Sequence, residues 1–286
     1  MIPMKFIFNV GNWYKDWEVT LKAAARADEL GYWALSMPDH YLWAPNMDDA
    51  TLDTWFALSH IASKTNQIHV GTIVTPIPFR PPAMLAKMVS TLDVISKGRT
   101  FLGVGAGWSQ REFEAYSQWD GDGATRVSKT VEGLKLIRAL WTESKVEFHG
   151  KYYHSTGGIL EPKPVQKPHP PFFFGGFSPR MIKLAGKYGD IVFLPPWLKM
   201  SFSEARDLVM EGAKQRDTPR NPSLAAGSPM IPGGPGYPQK YERAIYENSV
   251  AEAEKNGCEY FVLRVSQDEL LGSLDDFGRN VIPSYR

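Results

Sequence analysis

The feature that most restricts the fold of this chain is a regular alternation of strand-like and helix-like segments along nearly its whole length. Short apolar, β-branched runs read as strands at Lys5–Val10, Tyr32–Met37, His69–Thr75, Thr100–Gly105, Pro171–Gly176, Ile191–Leu194 and Glu259–Val265, with a weaker one near Ala225–Ile231. Between them lie Asp16–Gly31, Leu52–Thr65, Pro82–Lys97, Thr125–Thr142, Ser178–Tyr188, Ser203–Arg216, Gln239–Asn256 and Gln267–Phe277, which read as helices from apolar spacing near 3.6 and from glycine stops. Strict alternation demands parallel strands, because each helix carries the chain back to start the next strand. Eight such units in 286 residues suit an α/β fold of the (β/α)8 barrel type, which takes roughly 250 residues plus insertions. An open doubly wound sheet is the second choice. Val146–Pro170, rich in proline, glycine and aromatics, breaks the rhythm. It predicts an inserted hairpin or excursion after the fourth unit, over one end of the molecule and helping to shape a pocket with the loop Asn221–Pro238. No low-complexity linker divides the chain, so one domain over residues 1–286 is expected.

Composition excludes several classes. At 43% hydrophobic and 22% charged residues, the chain can bury a core without disulfides or metal. Its single cysteine, Cys258, rules out an internal disulfide and fits a cytoplasmic setting. Met1–Val10 lacks a signal-peptide pattern and no apolar run is long enough to span a bilayer, so no membrane association is expected. A net charge of +1 without a basic tract argues against nucleic acid. Nine tryptophans offer material for an apolar pocket.

A barrel carries its function at the C-terminal ends of its strands, and the unusual residues gather there. The fourth strand has glycine at every second position, Gly103, Gly105 and Gly107. Interior glycines weaken a strand, so something bulky must lie against this one: a ligand ring, another backbone, or a tightly curved wall. A Rossmann fingerprint fails, because position 108 is tryptophan and this is not the first strand; no Walker or Gly-x-Ser-x-Gly motif occurs. His40, after Pro38-Asp39, is placed to act as a general acid or base, with an ordinary loop histidine as the bland alternative. No metal site is expected, since no ligand spacing fits and adjacent side chains on extended backbone diverge. Gly175-Gly176-Phe177-Ser178-Pro179-Arg180 combines a strand end, a helix cap and an arginine, which suits a phosphate or a plain helix start. Thr72–Thr75 leads into a proline-dense stretch that would form a fixed wall or a stiff connector. Arg99 reads as structural, pairing with a helix end or carboxylate at the barrel bottom.

The same residues resemble the bacterial luciferase-like, flavin- or deazaflavin-dependent oxidoreductases. The likeness runs through Met37-Pro38-Asp39-His40, Val70–Pro76, Gly98–Trp108, Gly150–Tyr153, Pro162-Lys163-Pro164, Pro170-Pro171 and Gly175-Gly176. It implies a (β/α)8 barrel that binds its cofactor at the strand ends, a homodimer, and a non-proline cis peptide within Thr72–Thr75 (Thr72, Ile73, Val74, Thr75) backing the ring. It implies that Gly107 and Trp108 lie near the ring and that Gly175, Gly176, Phe177 and Ser178 hold the phosphate. His40 then handles the proton, Asp39 holds His40 or the ring edge, and Trp43 and Trp108 bound the substrate pocket. Asp39-His40 followed closely by Trp43 is similar to the branch that uses coenzyme F420; FMN, with a separate flavin reductase as partner, is the alternative. A non-catalytic binding barrel is a third reading, which the crowding of unusual residues on one face opposes. One departure stands out. Where the F420-dependent dehydrogenases carry a glutamate after the third glycine, this chain has Trp108, leaving Glu112, four residues on, as a carboxylate that could reach in.

Overall fold

A computed structural model describes residues 3–11, 17–42, 50–218, 220–229 and 240–286. Its strands are β1 (Lys5–Asn9), β2 (Ala34–Met37), β3 (His69–Thr72), β4 (Thr100–Gly105), β5 (Phe172–Gly175), β6 (Ile191–Phe193), β7 (Ser223–Gly227) and β8 (Tyr260–Leu263). Each pairs in parallel with the next, and β8 pairs with β1, so the sheet closes. The helices are α1 (Trp17–Leu30), α2 (Thr54–Lys64), α3 (Pro82–Ile95), α4 (Gln110–Tyr116), α5 (Gly123–Thr142), α6 (Pro179–Tyr188), α7 (Phe202–Ala213), α8 (Arg243–Lys255) and α9 (Leu270–Asn280). The expected barrel is therefore what forms. Among the described residues no helix is long and apolar enough to cross a membrane.

Local rules explain the element ends. Gly31, Gly98 and Gly257 follow their helices at positive φ, the conformation that stops a helix and that glycine adopts most cheaply. Asp53, Asp122, Ser178 and Ser201 cap the starts of α2, α5, α6 and α7 through their side chains. The period of two along the strands separates two cores. Phe6, Phe8, Leu35, Leu102 and Val104 pack outward against the helices, whereas Ile7, Phe101, Phe173, Phe193 and Val262 fill the barrel. Arg99 saturates the C-terminal end of α2, donating to the carbonyls of Ala62 (3.0 Å) and Thr65 (3.1 Å), the structural role its position implies. The N-terminal end of the barrel is shut by Trp33, stacked on His69 and Phe101 with ring centroids 4.6 and 5.6 Å away.

The third strand departs from the expected continuous run His69–Thr75. It ends at Thr72, passes a cis peptide at Ile73–Val74, and resumes as Thr75–Pro76, which pairs with Val104 and Gly105 of β4. This break explains the alternating glycines. A Cβ on Gly103 would lie 1.8 Å from the Thr72 carbonyl oxygen, and one on Gly105 would lie 2.6 Å from Val74 Cγ2. Gly107 has φ +82°, and a Cβ there would meet the Phe113 ring at 2.6 Å. Among protein atoms, the Thr72 backbone, Val74 and Phe113 fill the space beside the three glycines, and Gly105 and Gly107 also line the cavity described below.

The insertion forms an antiparallel hairpin, Val146–His149 with His154–Gly158, but it does not shape the pocket. Glu132 of α5 accepts the N–H groups of Lys151, Tyr152 and Tyr153. Further on, Asp93 of α3 accepts from Gln166. The segment thus lies along the outside of α3 and α5, and none of its residues lines the cavity described next.

Candidate active site

A cavity of about 650 Å³ opens over the C-terminal ends of the strands. Of the residues expected to form the site, His40, Ile73, Val74, Gly107, Trp108, Gly175, Gly176, Phe177 and Ser178 all line it. Trp43 lies outside the described residues. Asp39, Thr72 and Thr75 do not reach the cavity surface and form a layer behind it. Thr75 Oγ1 lies 2.9 Å from both Asp39 Oδ2 and Thr72 Oγ1, and the Gly103 N–H donates to Thr72 Oγ1 at 3.1 Å.

The Asp39 carboxylate does not hold His40. It takes a two-pronged pair of hydrogen bonds from Arg80 (2.6 and 2.7 Å) and one from Trp55 Nε1 (3.1 Å). Burial works against the Arg80 charge, but the Asp39 carboxylate more than offsets it and raises the guanidinium above its ordinary pKa. Asp39 and His40 are neighbours on extended backbone, so their side chains leave in different directions. His40 turns instead to Glu112 of α4. Its Nδ1 lies 2.8 Å from Glu112 Oε2, while Glu112 Oε1 accepts the N–H groups of Tyr41 and Leu42. Glu112 is 1% exposed. One buried carboxylate thus fixes both the imidazole and the loop that carries it. Donation from Nδ1 makes Nε2 the nitrogen that exchanges protons in the neutral ring. The Trp108 ring stands edge-on to His40 with centroids 5.6 Å apart, so the tryptophan forms a wall of the cavity, and the carboxyl group in contact with His40 is that of Glu112.

At the other end of the cavity, Gly175 and Gly176 leave β5 and Ser178 caps α6, its Oγ accepting the Met181 N–H at 3.2 Å. A Cβ on Gly175 would lie 2.9 Å from Val74 Cγ1, so Val74 nests between glycines of two strands. Arg180 ties α6 to α5 through Ala124 O (3.0 Å) and Ser128 Oγ (2.9 Å). Arg126 also lines the cavity; its guanidinium lies 3.9 Å from the Trp119 ring centroid and its buried Nε has no partner. The far wall is built by Phe193, Trp197 and Arg264.

Sequence reasoning missed Arg80, Arg126 and Arg264, which lie on loops or helices with no local pattern that marks them. Glu112 was visible only as a nearby acid.

The profile of the luciferase-like monooxygenases matches residues 9–234. The chain belongs to that family. It is 32% identical over 170 residues to an F420-dependent glucose-6-phosphate dehydrogenase of Amycolatopsis mediterranei, covering 58% of this chain and 50% of that protein. It is 31% identical over 137 residues to an FMNH2-dependent dimethylsulfone monooxygenase of Pseudomonas putida, covering 48% and 38%. The matches thus span half or less of these curated relatives. Among solved structures, an F420-dependent secondary alcohol dehydrogenase in complex with an F420-acetone adduct superposes with a TM-score of 0.83 at 21% identity, covering 99% of both chains. A monooxygenase from Streptomyces bottropensis superposes at 0.79 with 18% identity, covering 99% and 100%. These two likenesses establish the shared barrel fold.

Proposed function

We propose that this chain is a coenzyme F420-dependent oxidoreductase that moves a hydride to or from a small organic substrate. The observation that carries this reading is the buried His40–Glu112 pair at the cavity wall. The cavity fits a flavin-type group. One wall is the Ile73–Val74 cis peptide with apolar side chains, and one end is a glycine-lined helix start, where N–H groups favour phosphate. The orphaned Nε of Arg126 stands at the same cavity.

A bound deazaflavin supplies the carbon that accepts or donates the hydride. The protein supplies the rest. In the oxidising direction His40 Nε2 would take the proton of the substrate hydroxyl, while the bound group would take up the hydride of the adjoining C–H bond, leaving a carbonyl. Glu112 holds the Nδ1–H and stabilises the imidazolium that forms, the logic of a histidine oriented by a buried acid. Trp108 and Phe177 line the cavity and are exposed, so a bound substrate would cover them and displace water there.

The second reading is an FMN-dependent monooxygenase served by a separate reductase. The apolar lining of Ile73, Val74, Val127 and Met181 favours it, as does the dimethylsulfone monooxygenase relative. Titrating the full chain with F420 and with FMN, following fluorescence quenching of each, separates the two. Tight binding of F420 is expected, and FMN binding without F420 binding overturns the first reading. With an alcohol panel as substrate, His40→Ala and Glu112→Gln are expected to lower turnover by about 10²–10⁴-fold, with cofactor affinity close to that of the unmodified chain. Equal losses in both quantities would reduce His40 to a cofactor contact.

A further inference from the structure

Arg264 follows β8 directly and lines the cavity. Its backbone is locked: Ser228 Oγ accepts its N–H at 2.9 Å, and its carbonyl accepts from the Tyr246 hydroxyl at 2.9 Å. Its side chain is not. The Nε is buried with no hydrogen-bond partner, and no carboxylate among the described residues pairs with the guanidinium, which lies 5.4 Å from the Trp197 ring centroid. Burial alone pulls its pKa down, to about 10. Arg264 is half-buried, with its Nε shut off from solvent, and a cation partly removed from water without a counter-charge is costly. The contrast with Arg80, two-pronged on Asp39 in the same molecule, shows what this site lacks.

The place of this cation in the barrel says what completes it. Val74 and the cis peptide follow β3, whereas Arg264 follows β8, separated by β1 and β2 in the closed sheet. A ring held against Ile73 and Val74 would leave its other face to the rest of the cavity, part of which Arg264 lines. A cofactor phosphate would be held at the start of α6, with Arg126 and Arg180 at the same cavity. Around Arg264 the wall is aromatic: Trp197 stands edge-on to Phe193 and Phe177, with centroids 5.9 and 6.1 Å away. A guanidinium offers a planar fork that matches a carboxylate.

We infer that Arg264 is a specificity-determining residue that docks the anionic group of the substrate, and that the substrate is an organic acid with an apolar body whose reacting carbon faces His40. The inference takes its chemistry from the oxidoreductase reading, but the docking itself is testable by binding alone. Calorimetric titration of the full chain, with and without F420, would use acetate, phenylacetate, decanoate and phenyl phosphate, each carboxylate set against its uncharged amide. At least one acid is expected to bind about tenfold or more tightly than its neutral counterpart. Arg264→Met is expected to erase that preference and Arg264→Lys to keep part of it, both with unchanged F420 affinity. Arg264→Met is also expected to melt about 2–4 °C higher, because an uncompensated charge is gone. No preference for any acid, or a preference that survives Arg264→Met, overturns the inference. So does a loss of F420 or FMN affinity in Arg264→Met, which would make the arginine a cofactor contact. Acid preference without binding of either cofactor would sink the oxidoreductase reading and leave the docking site standing.

Discussion

Arg80 and Arg264 lie at different depths about one cavity, Arg264 in its lining and Arg80 behind it, and they are built by opposite rules. Arg80 sits behind the wall formed by β2 and β3. It is nearly enclosed and bonded to Asp39 and Tyr41, while Asp39 is itself tied to Trp55 and Thr75. Arg264 stands on the β8 wall with its Nε orphaned. A satisfied buried ion pair orients a loop and stays out of the chemistry. Arg264 pairs with no carboxylate among the described residues, which leaves room for a partner from outside. Cations of equal formal charge thus differ in role: Arg80 is scaffold, and Arg264 is the one proposed above to meet a ligand.

The comparison can be broken experimentally, beginning with its largest expected effect. Arg80→Met strands the buried Asp39 carboxylate and is expected to destabilise the fold by about 3–5 kcal/mol, read from the denaturant midpoint. Since Arg264→Met is expected to raise the melting temperature, two variants moving in the same direction would dissolve the contrast. The next effect tests whether the β3 wall is rigid. Gly103→Ala drives a methyl into the Thr72 carbonyl and is expected to cost about 1–3 kcal/mol or more. Gly272→Ala on the exposed side of α9, where nothing lies within 4 Å, is expected to gain about 0.5–1 kcal/mol. Equal shifts in denaturation would show that backbone freedom alone, not the close approach of β3, explains Gly103.

The smallest effect lies at the lower end of the same strand. Burial lowers the pKa of His69 beneath its ordinary 6.5. Above pH 6.5 the ring is neutral in folded and unfolded chains alike, so it contributes no pH dependence. Below 6.5 the unfolded chain takes up the proton first, and stability falls as pH drops toward the folded value. His69→Phe is expected to flatten that acid-side fall in melting temperature between pH 7 and pH 5. An unchanged slope would place the acid sensitivity elsewhere.

Much of the fold was legible in the order of residues. The hairpin appeared within the stretch that broke the rhythm. The β3 break was invisible to periodicity, because His69–Thr75 is mostly β-branched with no punctuating residue at the break, and only the resemblance pointed to a cis peptide there. The weak strand near Ala225–Ile231 begins two residues earlier, at Ser223, since small residues carry little strand signal. In the site, His40 and the glycine-serine turn after β5 were readable from local context. Asp39 was not, because its partner Arg80 lies 41 positions away. Nor was the partnership of His40 with Glu112, 72 positions away.

The sequence by itself determined the alternation of elements, the glycine stops and side-chain caps that bound them, and the need for an unencumbered face on β4. These depend on backbone conformation and on side-chain size a few residues apart. Only the tertiary structure decided which protein groups fill the space beside those glycines, which acid holds His40, and that Asp39 pairs with Arg80 while no described carboxylate pairs with Arg264. Pairing of charges depends on distance and burial after the barrel closes, and closure brings together side chains that no local pattern links.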